Sequence, residues 1–77
     1  MEKDLVEYIV KALVDDPGSV EVSVVEGEKS TILELRVAPD DIGKVIGKHG
    51  RIAKAIRTVL QAATARSGKH TTLEILD

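Results

Sequence analysis

The sequence contains no cysteine, tryptophan or phenylalanine, and Tyr8 is its one aromatic residue. Without cysteine the chain forms no disulfide framework and no thiolate metal site, and it has no cysteine nucleophile. Without surface aromatic rings it lacks the platform on which RRM and OB-type proteins stack nucleobases. No apolar run approaches the roughly 20 residues of a membrane-spanning helix, and the acidic N-terminus is unlike a signal peptide. These absences predict a soluble, cytoplasmic protein.

The sequence also offers no recognisable catalytic or metal-binding pattern. Neither His49 nor His70 stands at metal-ligand spacing with the other or with a carboxylate, and no serine has an evident partner base. A Walker A loop fails because Gly43 and Gly47 are one residue too close together and His49 occupies the place of the magnesium-binding Ser or Thr. We therefore expect no enzyme activity, no metal and no cofactor.

Acidic residues are missing from most of the second half of the chain. The net charge is −2, yet residues 1–41 carry eleven acidic and four basic residues. Residues 42–73 carry no acid and seven bases, namely Lys44, Lys48, Arg51, Lys54, Arg57, Arg66 and Lys69. A bipolar chain of this kind can present one electropositive face to phosphate while it stays soluble. The alternative is a helix face that only contacts water, as is usual for a basic helix. Because the basic run coincides with a glycine-bracketed loop, we favour a phosphate-binding face.

That basic region begins with the residues Ile42-Gly43-Lys44-Val45-Ile46-Gly47-Lys48-His49-Gly50-Arg51-Ile52. The pattern predicts a short helix, a four-residue loop with glycine at each end, and the start of a second helix. Gly47 and Gly50 permit positive φ or close approach of another chain. Unpaired amides at a helix start favour an anion, and Lys48, His49 and Arg51 are suited to meet a phosphate there. We interpret the loop as a G-x-x-G clamp for about four nucleotides of single-stranded nucleic acid, rather than a helix–helix turn needing glycine only sterically.

Hydrophobic periodicity predicts the element order α-β-β-α-α-β. Residues 3–14 form an amphipathic helix whose apolar stripe is Leu5, Ile9, Ala12 and Leu13, widened by Val6 and Val10. Residues 20–25 and 31–37 alternate as two strands of a hairpin, with Val20, Val22, Val24, Leu33, Leu35 and Val37 facing inward. Asp40 or Asp41 then caps the short helix 42–46.

The second helix is expected to run from Gly50 or Arg51 to about Arg66. Its apolar stripe is Ile52, Ile56, Val59, Leu60 and Ala63, with Lys54, Arg57 and Gln61 nearly opposite. Ile46 and Ile52 would anchor the two helices beneath the loop. The alanines of this helix are explained either by high helix propensity or by self-association through a surface of small residues. A last strand covers residues 71–76, with Leu73 and Ile75 inward.

In this context residues 42–52 resemble the signature of KH domains, and α-β-β-α-α-β is the order of the type II, bacterial form. The resemblance extends over essentially the whole chain and implies a single KH domain at residues 1–77. It implies an α+β fold with the helices packed on one face of a three-stranded mixed sheet. It also implies a groove formed by the short helix, the loop, the long helix and the last strand, with residues 67–70 as its variable loop.

Carried over by position, the resemblance implies that the backbone of about four nucleotides is clamped by Gly47, Lys48, His49 and Gly50. The residues that line or support the groove would be Ile42, Gly43, Val45, Ile46 and Ile52. Electrostatic attraction to RNA would come from Lys44, Lys48, Arg51, Lys54 and Lys69. His49 departs from the Lys or Arg common in the family, which would weaken phosphate attraction near neutral pH.

Proteins that look like this are cytoplasmic and self-associate. They also pair with a larger KH-containing RNA-binding protein, as RNA chaperones that affect cell elongation and wall synthesis. We therefore predict a single-stranded RNA-binding protein. Two alternatives stay open: a protein-interaction or dimerisation module with a vestigial loop, and DNA binding as a helix-turn-helix. A helix-turn-helix needs polar base-reading side chains at the start of its second helix, where this chain has Arg51-Ile52-Ala53.

Overall fold

The computed structural model describes residues 2–66 and 68–76. Its helices and strands are, in chain order, α1 (Glu2–Leu13), β1 (Glu21–Glu26), β2 (Ser30–Arg36), α2 (Ile42–Ile46), α3 (Arg51–Thr64) and β3 (His70–Ile75). Short 3₁₀ turns at Pro17–Ser19, Pro39–Asp41 and Lys48–Gly50 lie between them. The predicted α-β-β-α-α-β order is confirmed, with element boundaries displaced by one or two residues.

The three strands form one mixed sheet in the order β1-β2-β3. β1 and β2 are antiparallel, with Val24 opposite Leu33, and β2 and β3 are parallel, with Leu33 opposite Leu73. Parallel neighbours cannot be joined by a tight hairpin and need a crossover, which here contains α2 and α3. The crossover therefore places the glycine-bracketed loop between β2 and β3 in the chain.

One face of the sheet carries the hydrophobic core. Leu33, Leu35 and Leu73 are almost completely buried on that face, against Val6 and Val10 of α1. Ile56 and Leu60 of α3 belong to the same cluster, which also contains Val14, Val20, Val22, Val37 and Val45. Full burial of one such side chain contributes about 2 kcal/mol, so these few residues supply much of the driving force for folding. The predicted α+β class, with the helices on one face of a three-stranded mixed sheet as in type II KH domains, is confirmed.

The buried side of α1 differs from the predicted stripe. Val6, Val10 and, just after the helix, Val14 are buried, whereas Ala12 is exposed and Leu13 is 37% exposed. The predicted stripe is thus right for Val6 and Val10 and for Ile9, which packs against the core, and wrong for Ala12 and Leu13. Packing against the sheet centres the buried face on the valines.

The buried sides of β1 and α3 also differ in detail from the prediction. Val22 is buried, but Val24 on the same face is 43% exposed. In α3 the fully buried residues are Ala53, Ile56, Leu60 and Thr64, while Val59 and Ala63, predicted to be inward, are exposed. The helix is thus rotated about its axis relative to the expected face. In the described ranges, no helix combines the length and apolar character needed to cross a membrane.

Candidate nucleic-acid interface

The loop between α2 and α3, residues 47–50, has the backbone form that its glycines predict. Gly47 has φ 78° and Gly50 has φ 73°, and His49 between them also has a positive φ of 59°. The turn is closed by the Gly50 amide, which donates to the Gly47 carbonyl at 3.1 Å. Glycine adopts positive φ without a steric penalty, so its presence at both ends permits this tight turn.

Gly47 is required for a second reason, which is its contact with Ile52. A Cβ at position 47 would lie 2.6 Å from Ile52 Cγ1, far inside van der Waals contact. Gly50 has no such neighbour, because a Cβ there would meet no atom within 4 Å. The first glycine therefore lets the loop lie on α3, while the second serves only the backbone turn. Ile52 is half-buried beneath the loop as predicted.

The loop delivers its cationic residues to the start of α3. Gly50 stands at the N-cap position in left-handed conformation, and no side-chain hydrogen bond caps the helix. Lys48, His49 and Arg51 are all exposed. Among residues 2–66 and 68–76, none of these three side chains has a hydrogen bond or an ion pair with another side chain. The positive end of the helix dipole and three uncompensated polar or cationic groups thus converge on one surface.

Asp41 holds α2, on the other side of the loop, to the rest of the domain. It is only 2% exposed, and its carboxylate accepts hydrogen bonds from the amides of Asp16 at 3.0 Å and Asp15 at 3.2 Å. Asp41 does occupy the N-cap position of α2, but its side chain makes no cap hydrogen bond, contrary to the prediction. Its carboxylate instead connects the segment after α1 to α2.

Lys44 completes this cluster. Its ammonium group lies 3.2 Å from Asp15 Oδ2 and 3.7 Å from Asp41 Oδ1. Burial acts to raise the pKa of Asp41, but the Asp16 and Asp15 amides, with the Lys44 charge, outweigh it and lower that pKa below its ordinary value. The hydrogen bond and charge of Asp15, in turn, raise the pKa of Lys44. The positive charge of Lys44 is therefore engaged inside the domain.

The remaining residues of α2 divide between support and surface. Val45 is completely buried in the core, and Ile42 is half-buried against it. Gly43 is exposed, and Ile46 is 37% exposed beside the loop. The anchoring of α2 beneath the loop by Ile46 stays a prediction. Val45 and Ile42 fix the position of α2, while Gly43 and Ile46 form an aliphatic surface next to the cationic loop.

The last two predicted cations occupy different places. Lys54 is exposed one turn along α3 from Arg51. Lys69 follows the other end of α3, about 20 Å from the loop at 1.5 Å per helical residue, and its Nζ is 3.9 Å from Glu26 Oε2. The structure therefore groups Lys54 with the loop and does not bring Lys69 to it. Of the predicted variable loop 67–70, Ser67 lies outside the described residues.

Arg57 was not among the predicted site residues, yet it lies at the edge of the same surface. The sequence placed it nearly opposite the buried stripe, but the rotation of α3 brings it beside β3. Its Nε donates to the Leu73 carbonyl oxygen at 3.2 Å. The signal in the sequence was its spacing of three residues from Lys54, which puts both on one side of a helix.

No cluster of three or more His, Cys, Asp or Glu side chains suited to a metal ion occurs in the described portion of the chain. The cationic loop, the aliphatic surface of α2 and the flank of α3 that faces β3 are thus the features with binding chemistry. The resemblance to KH domains implies a groove between α2, the loop, α3 and β3, and we call that region the interface groove.

Comparisons with known proteins agree with this architecture. The family model described as KhpA/KhpB, KH domain, matches residues 3–75. The RNA-binding protein KhpA of Clostridium acetobutylicum is 61% identical over 96% of this chain and 99% of its own length. KhpA of Borreliella burgdorferi is 58% identical, over 99% of this chain and 93% of that protein.

The RNA-binding protein KhpA of Treponema pallidum is 56% identical over 100% of this chain and 96% of its own length. No solved structure matches the chain. The family model matches nearly every residue, and the chain is more than half identical to relatives that it covers almost completely. These two findings assign the family. This chain belongs to the KhpA/KhpB KH-domain family.

Proposed function

We propose that this chain binds single-stranded RNA in the interface groove, with the loop 47–50 holding the sugar-phosphate backbone. The observation that carries the proposal is the positive-φ loop at the start of α3, with the side chains of Lys48, His49 and Arg51 exposed and unpaired within the described residues. A phosphate placed there meets cationic side chains and the positive end of the helix dipole together. The relatives' name, RNA-binding protein, supports the same reading.

The bases would lie between α2 and β3. The exposed side chain of Ile46 and the bare backbone at Gly43 offer an aliphatic surface in place of aromatic stacking. Lys54, further along α3, adds attraction for the next phosphate. A groove of this kind takes about four nucleotides, which gives weak affinity and broad sequence preference.

Weak binding by one groove is the reason to expect partners. Two linked grooves raise the effective concentration of the second, so a second copy of the chain or a larger KH-containing RNA-binding protein would give useful affinity. We propose that the chain is one domain that works in this way in the cytoplasm, as an RNA chaperone in post-transcriptional control linked to cell elongation and wall synthesis.

The two other candidate functions have less support. For a helix-turn-helix, the start of α3 would have to enter the major groove, but Ala53 is buried and Ile52 is half-buried there. For a purely structural module, the left-handed His49 would have no purpose, because a non-glycine residue at positive φ costs about 1–2 kcal/mol. The observed geometry therefore favours the nucleic-acid clamp.

The test is the double variant Lys48→Asp with His49→Asp, measured by fluorescence anisotropy against a short labelled single-stranded RNA. We expect binding to be lost, because two carboxylates at the loop repel phosphate. Circular dichroism is expected to be unchanged, since both side chains are exposed and have no hydrogen bond or ion pair among the described residues. A duplex DNA of the same sequence, titrated in parallel, is expected to bind much more weakly than the single strand.

The control is Lys3→Asp with Lys29→Asp. Both residues are exposed, and neither belongs to α2, the loop, α3 or β3. Because two lysines are replaced, the change in charge is at least as large as in the loop variant, so retained binding would assign the effect to the loop. Undiminished binding by the loop variant, or equal loss in both variants, would remove the clamp from the proposal.

A further inference from the structure

β3 is the edge of the sheet that borders the interface groove. Within the part of the chain that the structure describes, β3 pairs only with β2, and the amides of His70 and Leu76 donate to the Lys29 and Leu35 carbonyls. In a parallel pair, every second residue of a strand directs both its N–H and its C=O to the neighbouring strand. Since His70 and Leu76 bond to β2, the N–H and C=O groups of Thr71, Leu73 and Ile75 point away from β2. The backbone amide and carbonyl of Leu73 therefore face the groove.

Arg57 occupies this edge. Its Nε donates to the outward carbonyl of Leu73 at 3.2 Å, which leaves the two Nη groups of the guanidinium without a hydrogen bond in the described residues. The guanidinium is a planar fork of fixed geometry that only donates. Leu73 itself is only 2% exposed, so the donors that a ligand meets at this point of the β3 edge are those of Arg57. The outward acceptor beside Arg57, which is the Leu73 carbonyl, is already engaged.

We infer that Arg57 is a specificity-determining residue, which makes the interface groove prefer cytosine or guanine to adenine. The inference rests on the proposed function. Cytosine presents two adjacent acceptors, O2 and N3, and guanine presents O6 and N7, and both pairs match a donor fork. Adenine presents its amino donor beside both N1 and N7, and that donor needs an acceptor such as the Leu73 carbonyl, which Arg57 covers.

The position of Arg57 suits this role. It follows Arg51 by six residues, which is about 9 Å along the axis of α3. A strand whose phosphates lie on the loop and near Lys54 would therefore bring one of its roughly four bases to the guanidinium. Arg51 itself contacts no backbone acceptor in the described residues, so it attracts phosphate and does not distinguish bases.

The experiment measures the affinity of the full chain for short single-stranded oligocytidylate and oligoadenylate by fluorescence anisotropy, for the wild type, Arg57→Met and Arg51→Met. Methionine keeps the length of the side chain and removes every donor. Because adenines stack on one another in the free strand, the deciding quantity is the change in the C-to-A affinity ratio. We expect this ratio to fall about tenfold in Arg57→Met, as oligocytidylate loses its donors and the freed Leu73 carbonyl accepts from adenine.

Arg51→Met is expected to weaken binding of both oligomers alike and leave the ratio at the wild-type value. If the C-to-A affinity ratio of Arg57→Met equals that of the wild type, the role of Arg57 in base preference is overturned and the proposed function is not. This holds whether the two affinities fall together or stay the same. Failure of the wild type to bind either oligomer would overturn the proposed function, and this inference with it. Circular dichroism and urea unfolding confirm that each variant is folded under the assay conditions.

Discussion

The loop 47–50 has an α2 side and an α3 side, which contain similar residues but differ in packing and charge pairing. On the α2 side, Gly47 is pressed against Ile52, and the charge of Lys44 is held between Asp15 and Asp41. On the α3 side, Gly50 borders open space and Arg51 is exposed with no ion pair among the described residues. The α2 side fixes the loop to the domain, whereas the α3 side, where we propose that RNA binds, is exposed.

The difference shows that residue type and spacing do not by themselves assign a role near such a loop. Lys44 and Lys54 are both lysines on helices beside it, but among residues 2–66 and 68–76 Lys44 has two carboxylate partners and Lys54 has no ion pair. The fixed side also explains how an α2 of only five residues keeps its place, since a helix that short is not stable alone. Buried Val45 and the carboxylate of Asp41 hold it.

The largest effect should come from exchanging the two glycines for alanine. Gly47→Ala adds a Cβ that must displace Ile52, and it also places alanine at positive φ, so we expect a loss of about 3 kcal/mol in the free energy of unfolding. Gly50→Ala suffers only the backbone penalty, about 1 kcal/mol. Urea unfolding followed by circular dichroism measures both.

Gly50→Asn sharpens this comparison, because asparagine tolerates the left-handed region better than alanine. It should be more stable than Gly50→Ala, whereas no side chain should rescue position 47. Equal losses for Gly47→Ala and Gly50→Ala would show that packing on Ile52 does not distinguish the two ends of the loop.

The second prediction concerns the cations on the two sides. In Arg51→Gln with Lys54→Gln, we expect RNA affinity to fall about tenfold. The slope of log affinity against log salt should also decrease by about 1.4, because each phosphate contact with a single strand contributes about 0.7. Lys44→Gln should leave that slope unchanged, since Asp15 and Asp41 already compensate the lysine charge.

Anisotropy titrations over a range of potassium chloride concentrations measure these slopes. A decrease of the slope in Lys44→Gln equal to that of a single α3 substitution would mean that the lysine leaves its carboxylates to meet RNA. The assignment of α2 to the fixed side would then be wrong.

The sequence predicted the fold well because its signals are local. Alternating residues in 20–25 and 31–37, and the helical stripes on either side, required only neighbours a few positions apart. The centre of the buried face of α1 was misplaced because Leu13 and Val10 lie on adjacent strips of the helix, and only contact with the sheet distinguishes them. The loop was predicted for the same local reason, since positive φ at Gly47 and Gly50 is a property of the turn itself.

The fixed side of the loop was not predictable in this way. Asp15 and Asp41 are 26 positions apart, and their hydrogen bond exists only after α1 and α2 have packed. Lys44 was therefore counted with the RNA-attracting cations, and Asp41 was expected to cap a helix. Arg57 was overlooked for a similar reason, because its partner is a carbonyl 16 positions away on β3.

A smaller effect is expected in acid, and it again concerns the α2 side. The pKa of Asp41 is lower in the folded chain than its ordinary value of 3.8, so its contribution to stability is complete above that value. The contribution is lost as the pH falls through the lowered pKa, because the unfolded chain takes up the proton first. Urea midpoints measured between neutral pH and about pH 2 should fall less steeply for Asp41→Asn than for the wild type. Parallel curves would contradict this role of Asp41.

The smallest effect separates stability from binding within α2. Gly43 is helical and exposed, and a Cβ there meets no atom within 4 Å, so Gly43→Ala should raise the free energy of unfolding by about 0.5 kcal/mol. If RNA lies over the bare backbone at this position, the added methyl group should nevertheless lower RNA affinity severalfold. Gly18→Ala, in the exposed turn Pro17–Ser19 with ordinary φ, is the control and should leave affinity unchanged. Thermal unfolding measures the stability of each variant, and fluorescence anisotropy measures its RNA affinity. Full affinity in a stabilised Gly43→Ala chain would place the RNA strand away from α2 and confine its contacts to the loop and α3.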